Sequence, residues 1–598
     1  MTRLSGAEIL IEQLVREGVP YLFGVCGHGN IGFLDAAYAA SDRIKTISTH
    51  HEQGAGYMAD AYFKVKHEPV ATFTSSGPGS TNLPIALAGA MMDSSAFLAI
   101  SGNVPTSQFN RGPFQETGKY FQADFPSVIR PYVKRSFQPT RAEMVPLAVR
   151  QSMELMRSGT PGPVNIDVPL NVFVEETDAA LEAPSDVISN RAAGDRALLR
   201  KAVEALLAAE RPAILAGQGV LLSEASEALE RLAEAVRAPL VTSPNGKTAV
   251  NESHPLAAGV VGRNGTFAAN EATKRADVLL AVGCSFDDRT TSAWIDGYTF
   301  SPASTKIVQI DVVPSEIGKN YPVWLGVLGD ARASLEEMLR LVEPLTGTDE
   351  SANGLHAAWT SEIDGYKQRW EKYQEPFRTS AANPVRPERL LDAIERAFPD
   401  DGIFAVDVGA HHSWTLQMWR ARRPRGLIHS WGFEAMGYAT SGILGAKLAA
   451  PDRPALALCG DGSFLTSAHA LATAVEYDIP VVWVVWNNFG YGSIMHLQRG
   501  FFGEREIATS FVKERTGEFY NPDFVALAQA FGVQAARVDD PASLEDAIST
   551  AVEAQAPYLI EVIVDRDATA AYTGTWTLPP FPHPEGNFLQ REREANES

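Results

Sequence analysis

Short β-branched, apolar runs alternate with amphipathic helical patterns along most of the chain. The first such runs lie at residues 21–25, 44–49, 70–75, 97–101 and 164–168. Strands apolar on both faces, separated by helical stretches, predict parallel sheets covered by helices on both sides. Two stretches break the rhythm. Residues 175–191 are acidic, contain proline and read as a linker. Residues 345–387 are polar, with a Trp/Tyr-rich helical patch at 359–373, and read as a second connection. These cuts predict an α/β chain of three domains, at about 1–174, 190–345 and 385–570. A C-terminal tail, 571–598, follows and is rich in proline and aromatic residues. The sequence carries no internal repeat and no low-complexity tract.

Composition narrows the functions. The 598 residues include 51 Lys plus Arg and 72 Asp plus Glu, a net charge of −21. That excess argues against nucleic acid or an anionic membrane surface as a partner. The longest dense apolar run, 481–486, has the length of a buried strand, far below the ~20 residues that span a bilayer. The first 19 residues form an amphipathic helical pattern with Glu8, Glu12 and Glu17, unlike a signal or transit peptide, so a cytoplasmic protein is expected. Cys26, Cys284 and Cys459 lie far apart, without metal-ligand spacing. Each sits in or beside an apolar run and is expected as a reduced core thiol.

Gly27-His28-Gly29-Asn30-Ile31-Gly32 follows the first strand and opens a helix, and Glu52 comes 20 residues after Gly32. Alone, this resembles a dinucleotide-binding fingerprint of a nicotinamide-dependent oxidoreductase. A helix precedes the supposed first strand, however, and Glu52 begins a helix instead of ending a strand. Both features count against that reading.

The strongest chemical signal comes late. The apolar run 455–459 ends in Gly460-Asp461-Gly462-Ser463, a helix follows, and the run 481–486 ends in Asn487-Asn488. In one βαβ unit both strand ends lie at the same sheet edge, so Asp461 and Asn488 converge. A carboxylate, an amide oxygen and a loop carbonyl (Gly490) form an incomplete oxygen shell. A small hard cation such as Mg²⁺ completes such a shell with phosphate oxygens and water. Gly460 and Gly462 allow close backbone approach, and the following helix start favours an anion.

This signature resembles that of thiamine-diphosphate enzymes, and closely the acetolactate synthase (acetohydroxyacid synthase) group, over residues 4 to about 570. Matching stretches include His51-Glu52-Gln53-Gly54, Ser76-Gly77-Pro78-Gly79-Ser80-Thr81-Asn82, Phe114-Gln115-Glu116, Asp407-Val408-Gly409 and Met436-Gly437-Tyr438. The resemblance implies pyrimidine-binding, central and diphosphate-binding domains, with active sites shared between the subunits of a homodimer or homotetramer. It implies thiamine diphosphate and Mg²⁺ as cofactors. Glu52 would hydrogen-bond the aminopyrimidine N1′, and Met436 would support the bent cofactor. The Glu434 carbonyl would accept from the cofactor amine. Gly27, Pro78, Asn82, Gly409, His411, His412 and Ser463 would contact the cofactor, and Gln115 and Phe114 would line the pocket. The implied chemistry is decarboxylation of a 2-oxo acid and transfer of the acyl carbanion to a carbonyl acceptor.

Three departures widen the alternatives. Cys26-Gly27-His28 replaces the group's Pro-Gly-Gly and places the His28 imidazole near the reacting carbon. This stretch also resembles the trihydroxycyclohexanedione hydrolases, so a C–C hydrolase of a cyclic or linear dione remains a second reading. Leu497 stands where the group's acceptor-selecting Trp is found. Flavin-site residues are partly lost: Gly217-Gln218-Gly219, Asp287, Arg289, Asp311 and Asp330 remain, but Ser285 and Thr160 replace arginines, which leaves FAD open. A non-catalytic cofactor-binding paralogue is the third reading, opposed by intact Glu52, Asp461 and Asn488.

Overall fold

The computed structural model describes residues 3–116, 118, 124–184, 191–346, 356–575 and 587–597. Three six-stranded sheets carry the chain, and every strand pairing within them is parallel. The first sheet runs Lys45–Ser48, Tyr21–Gly24, Ala71–Thr74, Leu98–Asn103, Val164–Pro169, Arg135–Phe137 across its width. The third runs Leu427–Ile428, Ile403–Val406, Ala455–Gly460, Val482–Asn487, Tyr558–Ile563, Gln534–Val538. Numbered in chain order within each sheet, both read 2-1-3-4-6-5. The molecule therefore contains a topological duplication that the sequence, without a visible repeat, does not betray. The central sheet runs Ala257–Val260, Leu240–Thr242, Pro212–Ala216, Val278–Val282, Lys306–Asp311, Leu325–Leu328, the 3-2-1-4-5-6 order of a doubly wound nucleotide-binding sheet.

Strand order decides where ligands can sit. In open α/β sheets the connections diverge at a switch point and leave a crevice at the carboxyl ends of the strands. The first sheet switches between Tyr21–Gly24 and Ala71–Thr74, and the third between Ile403–Val406 and Ala455–Gly460. The sequence motifs follow these very strands.

First and third units pack through two helices, Glu52–Lys66 and Tyr438–Ala449. Tyr57, Met58 and Ala61 share one apolar core with Ile443 and Leu444. Glycine permits the close approach: a Cβ on Gly445 would lie 1.9 Å from the Met58 carbonyl oxygen. At the end of this contact Lys64 is buried between Asp60 (3.0 Å) and Asp93 (2.9 Å) and also donates to the His429 carbonyl. Gln218 of the central unit donates to the Asp93 carbonyl, so all three units meet here.

Three expectations need correction. Residues 175–191 are not wholly a linker, because Glu176–Thr177 pairs antiparallel with Leu4–Ser5; residues 185–190 lie outside the described residues. The presumed second connection contains the 22-residue helix Ala357–Arg378. Trp359 and Ile363 join the core of the central unit, and Trp370 and Tyr373 pack around Phe588 of the tail. Cys26 is exposed, because the strand ends at Gly24 and the chain has already turned; Cys284 and Cys459 are buried as expected. Among the described residues no helix is long and apolar enough to cross a membrane.

Candidate active site

Two half-sites form at the two equivalent switch points. At the first, the glycine stretch after Tyr21–Gly24 is pressed against the next strand end. A Cβ on Gly27 would lie 2.5 Å from Ser75 Oγ, and one on Gly29 would lie 2.8 Å from the Ser76 nitrogen. These glycines serve protein packing, which removes the dinucleotide reading. His28 starts a 3₁₀ turn, is exposed, and its ring lies 5.4 Å from that of Phe114.

Glu52 opens its helix and is 7% exposed. Its Oε2 accepts from Asn82 Nδ2 at 2.9 Å, and Gly79 sits beside Oε1, where a Cβ would lie at 3.1 Å. Pro78, itself exposed, begins the short helix that carries Gly79. Gln115 has a left-handed backbone (φ 58°) and its carbonyl approaches Gly77. Gly27, His28, Glu52, Pro78, Asn82 and Gln115 thus belong to one strand-end neighbourhood.

At the second switch point the chain builds a cavity of about 700 Å³ between the third and central units. Gly409, His411, His412, Glu434, Met436, Gly460, Asp461, Gly462, Ser463, Asn488 and Gly490 all line it. Asp461 is 1% exposed at the end of Ala455–Gly460. Its Oδ1 accepts from the Gly462 amide (2.8 Å), and its Oδ2 from Asn521 Nδ2 (2.8 Å) and the Gly490 amide (3.2 Å). Burial raises this carboxyl to about 6, against the pull of those neutral donors. A bound cation would supply the missing countercharge, and Asn488 lies beside it in the cavity wall. The residues present therefore fit Mg²⁺.

His411 is buried and neutral, pushed by desolvation to about 4, and its Nε2 has no hydrogen-bond partner. His412, held well below the ordinary imidazole range by burial, shares a 2.8 Å hydrogen bond with His429. An orphaned buried nitrogen beside two glycine-lined strand ends fits an anionic ligand there. Ser463 Oγ accepts from the Gly437 amide at 2.8 Å and fixes the turn that carries Met436. Met436 is 39% exposed, into this opening.

Sequence reasoning missed Asn521, Arg263, Tyr572 and His429. Asn521 Nδ2 bridges Asp461 and Asn487, each at 2.8 Å, yet follows Asp461 by 60 residues with no motif to mark it. Among the described residues, no member of 1–174 lines the cavity. One chain does not bring Glu52 and Asp461 into one pocket.

Three units, two of them sharing one strand order and each of those two carrying its motif residues at the switch point, match thiamine pyrophosphate enzymes segment by segment. Residues 4–123 match the thiamine pyrophosphate enzyme N-terminal TPP binding domain, 199–338 the central domain and 407–562 the C-terminal TPP binding domain. The chain is 35% identical to the probable acetolactate synthase large subunit of Methanocaldococcus jannaschii, covering 94% of this chain and 92% of that protein. It is 31% identical to acetolactate synthase isozyme 3 large subunit of Escherichia coli, covering 92% and 93%. The chain belongs to the acetolactate synthase family of thiamine-pyrophosphate-dependent carboligases.

Proposed function

We propose that the protein decarboxylates a 2-oxo acid and ligates the acyl group to a carbonyl acceptor, in an active site assembled from two copies of the chain. The observation that supports this reading is the separation of the two groups of residues: a cavity lined by Asp461, Asn488 and His411 without Glu52, and Glu52 with Asn82 outside that cavity. Thiamine diphosphate, when bound, supplies a nucleophilic carbon and an electron sink. Asp461, Asn488 and the Gly490 carbonyl would hold Mg²⁺ against the diphosphate, with His411 facing it.

Glu52 holds or gives a proton at the pyrimidine ring nitrogen. Asn82 occupies one of its oxygens, and Gly79 leaves room at the other. Met436 props the cofactor, and Phe433, Ile494 and Leu497 furnish apolar wall that excludes water.

The flavin reading is not adopted. The Gly217 and Gly219 amides donate to the Val282 and Gly283 carbonyls, Asp330 accepts from Ser223, and Arg289 pairs with Glu434. The groups a flavin diphosphate would need are thus engaged by the protein.

The test is reconstitution. Chelated, cofactor-free protein should release no CO₂ from pyruvate, and Mg²⁺ plus thiamine diphosphate should restore release. Full turnover without either, or none with both, would refute the proposal; cleavage of a dione without CO₂ would favour the hydrolase.

A further inference from the structure

A carboxylate lies inside the third sheet, where the neighbouring residues are apolar. Glu561 belongs to the interior strand Tyr558–Ile563 and is 1% exposed, in register with Arg537 on one neighbouring strand and Val485 on the other. Burying a carboxylate is costly unless its oxygens are engaged. Both are. Oε2 accepts from Arg537 Nε at 2.9 Å, and Oε1 accepts from Asn487 Nδ2 at 2.8 Å. An ion pair explains the first contact; the second reaches the residue before Asn488.

From Asn487 the hydrogen bonds continue to Asp461. Asn487 Oδ1 accepts from the Phe489 amide (3.2 Å) and from Asn521 Nδ2 (2.8 Å), and the same Nδ2 donates to Asp461 Oδ2 at 2.8 Å. With the Gly490 amide on Oδ2 and the Gly462 amide on Oδ1, Asn521 fixes the rotation of the Asp461 carboxylate. An asparagine amide can turn over, exchanging oxygen for nitrogen, and its partners decide which way it lies. A carboxylate only accepts, so Glu561 draws the Asn487 nitrogen and leaves the Asn487 oxygen for Asn521. That oxygen requires the Asn521 nitrogen, which places a donor against Asp461.

We infer that Glu561 is a positioning residue for the metal site: it orients Asn487, Asn487 orients Asn521, and Asn521 holds Asp461 ready for a divalent cation. The inference rests on the Mg²⁺ site proposed above and on no step of the carboligation. Partners behind a metal ligand commonly tune affinity in this way.

Glu561→Gln keeps the size and reverses the relay. Arg537 offers only N–H groups, so the new amide must turn its oxygen to Arg537 and its nitrogen to Asn487. Asn487 and then Asn521 turn over, and an amide oxygen meets Asp461 Oδ2. Removing Arg537 as well frees the glutamine to turn its oxygen back to Asn487. Water can then reach its nitrogen where the guanidinium, 40% exposed, had been.

The experiment titrates parent and variants with Mn²⁺ in the presence of thiamine diphosphate and reads free Mn²⁺ by electron paramagnetic resonance. Glu561→Gln should weaken binding at least roughly tenfold. Glu561→Gln combined with Arg537→Met should return to within about threefold of the parent. A carboxylate that merely ties strands together predicts the reverse, because the double variant loses more polar contacts than the single. Parental affinity in Glu561→Gln, or a double variant no tighter than the single, overturns the inference. If Glu561→Gln does not fold, Asn521→Ala, at the half-buried end of the relay, decides. A loss of at least roughly tenfold upholds the inference, and parental affinity ends it. A parent that binds no Mn²⁺ refutes the metal site and this inference together. Mn²⁺ binding that responds as expected, without CO₂ release from pyruvate, upholds the inference and refutes only the donor chemistry.

Discussion

At the scale of single residues, Glu52 and Asp461 differ in what their loss should do. Glu52→Gln keeps the shape and the Asn82 contact but removes the proton partner. Turnover should fall by roughly 10²–10⁴-fold while calorimetry still registers cofactor binding. Asp461→Ala should instead abolish Mg²⁺-dependent cofactor binding in the same titration. Lys64 is a structural counterpart. Removing its ammonium in Lys64→Ala leaves Asp60 and Asp93, 3% and 1% exposed, without their cation. A loss of about 3–5 kcal/mol is expected, read from urea unfolding.

Asp167 gives a pH signature. Burial raises its carboxyl from an ordinary 3.8 to about 6, although Ser101, Gln138 and Asn103 donate to it. Between those values the folded state binds the proton more tightly than the unfolded state. Its contribution to stability is therefore full below the lower value and is lost as pH rises through about 6. Asp167→Asn should flatten this part of the urea-midpoint profile between pH 4 and 7.

At the scale of elements, the contact of Glu52–Lys66 with Tyr438–Ala449 depends on backbone proximity. A Cβ at Gly445 would meet the Met58 carbonyl oxygen at 1.9 Å and its carbonyl carbon at 2.5 Å, atoms with no rotamer to yield. Gly445→Ala should force the helices apart and cost about 1–3 kcal/mol, seen as a lower thermal midpoint. Because Glu52 opens one of these helices and Met436 precedes the other, activity should fall with stability. The helix Ala357–Arg378 shows how an element can hide. Its exposed face is polar enough to pass for a linker, while Trp359 donates its indole N–H to the Pro212 carbonyl inside the central unit.

At the scale of the molecule, the proposed shared site predicts that two copies work together. Glu52→Gln and Asp461→Ala proteins, dissociated and reassembled together, should recover part of the parental activity, because a mixed pair owns one site with both residues intact. Each variant reassembled alone should stay inactive. An active monomer in sedimentation would refute the shared site.

The sequence by itself determined the strands, the α/β class and the strand-end motifs, because buried parallel strands need unbroken apolar runs and ligand loops need glycine, Asp and Asn at fixed offsets. Local chemistry of that kind is written in neighbouring residues. Tertiary structure alone decided the shared 2-1-3-4-6-5 strand order of the first and third sheets, since topology depends on which strands pair and not on what each contains. It alone brought Asn521 to Asp461, Arg289 to Glu434 and His429 to His412, pairs joined across 60, 145 and 17 positions by chain reversal. It also exposed Cys26, whose strand ends two residues before it at Gly24, and held Glu52 out of the cavity. A one-dimensional pattern records which face of an element is buried; which other element buries it is settled only by packing.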